Sequence, residues 1–266
     1  MNLADIYEKV KPALVAFVIE EQKGTDIIYN IFGSGFCVDS DGIIVTAAHV
    51  ITDYYKSFTG SPLPPIHPKV GQPIEPPKFR IVFFRKEKSA YGSVVIIPTE
   101  LFIDSDNDIA VLGIPKCPDY WGNKWPHLEL GDISRVCEGD EIATSGFPLK
   151  WRLPKRGSLP ELSKGIVSAV VELPVGNNNW QTTKLVLDIN INPGNSGGPV
   201  FETRFGKVLG LVSKEVVRPP DQIPKSLESL FRIPTGIVYC VASGLVTRAV
   251  SELKRVSVLK SKELAQ

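Results

Sequence analysis

The stretch Asn192-Pro193-Gly194-Asn195-Ser196-Gly197-Gly198-Pro199 follows closely on the apolar run Leu185 to Ile189. Glycines on both sides of one serine let the backbone turn sharply, expose the hydroxyl and aim amide N–H groups at a shared point. A nucleophile beside an oxyanion hole needs that arrangement. The same residues also suit a glycine-rich turn whose serine only bonds its own backbone. Working outward, short β-branched runs recur on both sides. Upstream lie Leu14 to Glu20, Asp26 to Phe32, Gly35 to Val38, Ile43 to Thr46, Phe79 to Phe84, Ser93 to Ile97 and Ile109 to Ile114. After Gly131 come Glu141 to Ser145, Gly165 to Val171, Leu185 to Ile189, Pro199 to Phe201, Val208 to Ser213 and Gly236 to Val241. About a dozen strands between Gly, Pro, Asn and Asp turns predict an all-β sandwich or barrel. Helix is expected only at the ends, over Ala4 to Val10 and where Leu245, Val246, Ala249, Val250 and Leu253 repeat with helical spacing.

The chain has 266 residues with 30 Lys+Arg against 29 Asp+Glu, a formal charge of +1. That balance gives no broad positive field for phosphate backbones, so nucleic-acid binding is disfavoured. The basic cluster Lys150, Trp151, Arg152, Lys155 and Arg156 reads as a solvated loop. The apolar stretch Ala13 to Ile19 follows Asp5, Glu8, Lys9 and Lys11, lacks a basic start and is shorter than the ~20 residues that span a bilayer, so it reads as a strand and no membrane partner is expected. Cys37, Cys117, Cys137 and Cys240 lie far apart and form no C-x-x-C pair. Neither metal nor cofactor is implied, and four spaced thiols without a signal fit a reduced, cytoplasmic setting.

A serine hydroxyl needs a base, and the histidines are His49, His67 and His127. His67 and His127 sit beside prolines in loops and read as solvated. His49 ends the run Ile43-Ile44-Val45-Thr46-Ala47-Ala48-His49, where alanines leave room beside the ring; an ordinary core histidine is the other reading. A carboxylate must then hold the imidazole's second nitrogen. Asp108 opens the run Ile109 to Ile114 and can turn inward, or be a plain strand-start residue, while Asp104 and Asp106 read as turn residues.

The three candidates occur in the order His, Asp, Ser, each at a strand edge, which is the order of chymotrypsin-type enzymes. Gly33-Ser34-Gly35-Phe36 with Thr46-Ala47-Ala48-His49-Val50, Asp106-Asn107-Asp108-Ile109-Ala110-Val111-Leu112 and Asn192 to Pro199 together resemble the trypsin-like peptidases of the HtrA (Deg) family. Ile6 to Val15, Gly165 to Ala169 and Ser243 to Val246 extend the resemblance over nearly the whole chain. It implies a single peptidase domain over 1–266, built as two six-stranded antiparallel β-barrels, an N-terminal one over about 1–115 and a C-terminal one over about 130–242, with a C-terminal helix and tail over 243–266. It implies a serine endopeptidase in which His49 is base then acid, Asp108 orients it, Ser196 attacks, and the amides of Gly194 and Ser196 hold the oxyanion. A protease-fold binding module that is silent, or latent until a protein partner acts, is the alternative.

The resemblance further implies a specificity pocket with Asn190 and Ile191 at its base and Ser213 and Val238 in its walls, narrowed by Val238 to a small or aliphatic residue. Protein or peptide substrates are expected, with monomer and trimer both open. Asn195 stands where secreted trypsins carry the aspartate that pairs with a new N-terminus, so that activation is not expected. Val50 replaces the cysteine beside the histidine, which leaves Cys37 without a partner. Four stretches interrupt the strand rhythm, at 53–79, 115–130, 148–163 and 214–234, and loops of that length are usually functional or disordered.

Overall fold

The computed structural model describes residues 2–23, 26–60, 79–86, 91–148, 160–174, 180–218 and 233–263. Helix α1, Leu3–Val10, opens the chain. Asn2 caps it by accepting from the Asp5 amide at 2.9 Å while Asp5 accepts from the Asn2 amide at 3.2 Å, so two orphan donors are satisfied reciprocally. The first half then forms β1 (Leu14–Lys23), β2 (Asp26–Asp39), β3 (Ile43–Thr46), α2 (Ala48–Thr59), β4 (Phe79–Lys86), β5 (Tyr91–Ile96), β6 (Glu100–Asp104) and β7 (Ile109–Gly113). The second half forms β8 (Glu141–Gly146), β9 (Glu161–Pro174), β10 (Trp180–Asp188), β11 (Pro199–Glu202), β12 (Val208–Arg218), β13 (Ile233–Ala242) and α3 (Ser243–Glu263). No helix among the described residues is long and apolar enough to cross a membrane.

The second half is a closed antiparallel barrel in the order β10-β13-β12-β11-β8-β9. The first half differs from the expected six-stranded barrel. It is a seven-stranded antiparallel sheet in the order β5-β4-β1-β2-β3-β7-β6, with no ladder joining β5 to β6 among the described residues. The reason lies in residues 97–99 between them. Pro98 has no N–H to give a ladder, and Thr99 commits its amide to Gly113 O at 2.8 Å, which carries the chain across to β7. The runs Asp26 to Phe32 and Gly35 to Val38 merge into one β2, paired along its length with β1 in a register that shifts between Phe17 and Val18.

Helix α2 lies where only a strand end and a loop were expected. Val50, Ile51 and Tyr54 supply its buried face, and Gly60, in the left-handed region at φ 72°, ends it by donating to Lys56 O at 2.9 Å. Tyr54 stacks on Phe32 at 4.7 Å, and both rings meet Phe79 edge-on. Trp125 of the 115–130 loop is buried and stacked on Phe83 at 4.6 Å, its indole N–H bonded to Pro115 O at 2.9 Å, so this segment serves the core. The 148–163 cluster from Lys150 to Arg156, His67, and most of the 53–79 and 214–234 loops fall outside the described residues.

Several contacts join the two halves. Tyr7 of α1 reaches the second half, its hydroxyl bonded to Ser145 Oγ at 2.9 Å and Pro160 O at 2.8 Å. Helix α3 packs back over β6 and β7 of the first half, where Lys254 pairs with Asp39 at 2.5 Å and Ser257 donates to Glu100 at 2.6 Å. Between these, Ser34 of β2 is fully buried at the seam. Its hydroxyl donates to Gly194 O at 2.6 Å and accepts from the Phe147 amide at 2.8 Å, while its amide donates to Ser196 O at 3.0 Å and its carbonyl accepts from Thr46 Oγ1 at 2.7 Å. Truncating this side chain leaves a buried donor and a buried acceptor unmatched. Ser34→Ala is therefore expected to lower unfolding free energy by about 1–3 kcal/mol, measured by urea denaturation.

Candidate active site

Two consecutive turns shape the loop around Ser196. The first, Asn192 to Asn195, is closed by the Asn195 amide on Asn192 O at 3.0 Å and carries Pro193 and Gly194 (φ 108°) at its centre. The second, Asn195 to Gly198, is closed at 2.9 Å and carries Ser196 and Gly197 (φ 82°). A positive φ at the third position is the mark of a type II turn, and glycine is the residue that takes it without strain. Space imposes a second demand at Gly197, where an added Cβ would lie 2.1 Å from Thr46 Oγ1 and 2.3 Å from Ser34 O. Ser196 is thus lifted on a rigid double turn pressed against the first half. Neither the Gly194 amide nor the Ser196 amide donates to another described residue. Asn195 is buried, and its Oδ1 has no hydrogen-bond partner among the described residues.

His49 sits in the first turn of α2, and Ala47 at the N-cap supplies no side-chain acceptor. Asp108 takes that place. Its carbonyl accepts from the Ala48 amide at 3.1 Å, and its Oδ1 accepts from the His49 amide at 2.9 Å. The carboxylate also meets His49 Nδ1 at 3.1 and 3.0 Å. Asp108 adopts φ 56°, a left-handed conformation that aspartate tolerates better than branched residues, at the junction of a polar turn with β7. Asp104 organises that turn by accepting from Asn107 N at 3.1 Å and Asn107 Nδ2 at 2.7 Å.

A third donor comes from the other half. Ser213 Oγ bonds Asp108 Oδ2 at 2.5 Å. The register of β12 on β13 shifts between Val212 and Lys214, and this bulge turns Ser213 toward the seam. Burial pushes the Asp108 carboxyl up, but the hydrogen bonds from His49 and Ser213 with the imidazole charge hold it below the ordinary carboxylate value. For His49, burial alone would lower the imidazole; the hydrogen bond and charge of Asp108, helped by Asp53, outweigh it and raise the group above 6.5.

His49, Gly194 and Ser196 line one cleft of about 520 Å³, together with Phe32, Tyr54 and Pro193. Among the described residues no hydrogen bond joins the Ser196 hydroxyl to the His49 ring. With Nδ1 on Asp108, Nε2 is the ring nitrogen left for another partner. His127 is exposed, and its Nδ1 lies 3.2 Å from Trp125 O, apart from this cluster.

The pocket residues separate. Asn190 is exposed and Ile191 half-buried, while Ser213 is engaged with Asp108. Val238 does not narrow a slot. It pairs with Leu187, and both side chains are fully buried in the barrel core. The position of β13 nearest Asn190 is Gly236, two residues earlier on the same strand face, where a Cβ would lie 3.9 Å from Asn190 Oδ1. Val50 faces Gly33, whose Cβ would meet Val50 Cγ1 at 2.4 Å, so Cys37 is not the residue opposite it. All four cysteines are free, and burial pushes the Cys37 thiol up to about 12. Sequence reasoning missed the contacts of Ser34 and Ser213. Glycines on both sides of Ser34 were the available signal for the first, and the second depends on a bulge.

A model of the family described as trypsin-like peptidase domain matches residues 33–211. Serine protease HTRA1 of Xenopus tropicalis is 28% identical over 251 residues, covering 88% of this chain and 44% of that protein. A probable periplasmic serine endoprotease DegP-like of Pseudomonas putida is 27% identical over 214 residues, covering 80% and 34%. A putative protease Do-like 14 of Arabidopsis thaliana is 26% identical over 240 residues, covering 85% and 47%. The chain thus spans less than half the length of these relatives. The crystal structure of Deg5 superposes with a TM-score of 0.51 at 24% identity, covering 79% of this chain and 83% of that one, which shows a shared fold. With the family match covering more than half of its residues, the chain belongs to the trypsin-like peptidase domain family, in its HtrA/DegP group.

Proposed function

We propose that this domain is a serine endopeptidase that cuts protein or peptide segments through an acyl-enzyme. The observation that carries the reading is the clamp of Asp108 on His49 Nδ1 in a cleft that His49 shares with Ser196. With Nδ1–H held by the carboxylate, the neutral ring keeps its Nε2 lone pair as the base. Ser196 Oγ attacks the scissile carbonyl as its proton passes to Nε2. Asp108 steadies the imidazolium, and the same proton then goes to the leaving amine. The amides of Gly194 and Ser196, with no described partner of their own, are the donors for the oxyanion; one such donor is worth about 3–4 kcal/mol in comparable sites. Ser213 is a positioning residue, acting through Asp108.

The unmade hydrogen bond between Ser196 and His49 favours one refinement, a resting form that tightens when substrate or a protein partner arrives. Apo sites of this kind often show long hydrogen bonds that shorten only in the reacting complex.

A fluorophosphonate probe is expected to label Ser196 in the wild-type chain and to leave Ser196→Ala unlabelled, read by mass spectrometry of the modified peptide. Peptide turnover by Ser196→Ala should fall by about four to six orders of magnitude, and retention of cleavage would overturn the assignment.

The pH dependence follows from His49 acting as a neutral base. Its raised value places the acid limb of kcat/KM above the ordinary imidazole value of 6.5. Asp108→Asn removes the hydrogen bond and charge that do most to raise it and leaves the smaller pull of Asp53 against burial, so the limb should move to lower pH while kcat drops about 10⁴-fold. A pH series from about 5 to 9 checks both the sign and the size.

A further inference from the structure

The cleft beside His49 is larger than the triad requires. It runs from Ser196 past the imidazole to a wall made by Ile31 and Phe32 of β2 and by Val50 and Tyr54 of α2. Its volume of about 520 Å³ falls in the range of about 300–1,000 Å³ usual for ligand sites. Ile31, Val50 and Tyr54 are buried, and the Phe32–Tyr54 stack is braced by Phe79, so the wall is preformed. Asn190, Ile191 and Gly236 do not line it.

The direction of the reaction says which part of a substrate lies here. This inference rests on the peptidase reading above. The acyl carbon is bonded to Ser196 Oγ, and the leaving nitrogen must take its proton from His49. The fragment that departs with that nitrogen therefore lies on the His49 side of Ser196, against this wall. Charge narrows the choice further. Asp53, exposed on α2 four residues after His49, is the charged side chain at the rim besides His49 itself, and no Lys or Arg lines the cleft among the described residues. An acidic side chain would meet that like charge with no Lys or Arg in the lining to pair it. We infer that the Phe32–Val50–Tyr54 cleft is a specificity pocket for the residue on the leaving-amine side of the cut, and that it selects large apolar side chains and rejects acidic ones.

Acyl transfer tests this side of the site alone. A nitrophenyl ester with a fixed acyl group forms the acyl-enzyme: the Ser196 Oγ–C bond forms, and the nitrophenol leaves with the proton carried by His49. Water or an added amino-acid amide then attacks the acyl carbon and gives a proton to His49. The ester bond breaks, and Oγ recovers a proton from His49. The ratio of amide product to acid, read by chromatography, reports how well each amine binds in the leaving-group pocket. Leucinamide and phenylalaninamide are expected to partition about ten-fold or more above alaninamide, with glutamic acid amide lowest.

Two variants attack the pocket differently. Phe32→Ala removes part of the wall and should flatten the preference. Ser57→Trp, placed at an exposed rim position, should fill the cleft and shift preference toward glycinamide and alaninamide. Ser196-dependent nitrophenol release with equal partition for all amides in the wild-type chain overturns the pocket while leaving the peptidase reading intact. Nitrophenol release no faster than that of Ser196→Ala overturns the peptidase reading, and the inference with it.

Discussion

The carboxylate of Asp108 takes hydrogen bonds from both halves of the molecule. From the first half come the amide and the ring of His49; from the second comes the hydroxyl of Ser213. A half-buried anion is costly unless its lone pairs are met, and here three donors meet them. The positive end of α2, formed by amides that Ala47 cannot cap, adds a favourable field. One acidic residue thereby starts a helix, sets the tautomer of a histidine and ties a barrel strand to the opposite sheet. Nearly everything about the site's geometry depends on it.

Ser34 makes the complementary join. Where Asp108 fixes the base, Ser34 fixes the loop of the nucleophile, since both its amide and its hydroxyl bond carbonyls of that loop. The glycines around it exist for approach as much as for turning. Gly33 gives way to Val50, and Gly146 to the Ser34 hydroxyl itself, with a hypothetical Cβ only 2.4 and 2.6 Å away. The seam is therefore a polar contact sealed by small residues, which lets the two halves share one site without a disulfide across it.

Much of this was legible in the residues. The apolar, β-branched runs gave strands at or near the observed positions, because burial on one or both faces is what such runs record. The glycine pattern around Ser196 and the placement of His49 and Asp108 at strand edges pointed to the cluster. What stayed hidden has physical causes. The start of α2 continues the apolar run of β3, so a period of two passes into a helix unmarked, and its end precedes a proline-rich stretch that reads as loop. β6 is three apolar residues between Glu100 and Asp104, too short to register. The bond of Ser213 to Asp108 stayed hidden because it depends on a bulge in β12, and Val238, placed in a pocket wall by resemblance, packs in the barrel core on β13 instead. Barrel closure turned on Pro98, whose missing N–H is local while closure is global.

Helix α3 lies over β6 and β7, the latter running directly from Asp108, although it is the last element of the described chain. Translation delivers these parts in the reverse order of their need. While the first half emerges from a ribosome, the strand that carries the acid has no lid, and the serine loop that Ser34 grips has not been made. A growing polypeptide with this layout cannot bring Asp108, His49, Ser196 and Ser213 together until β12 has been added.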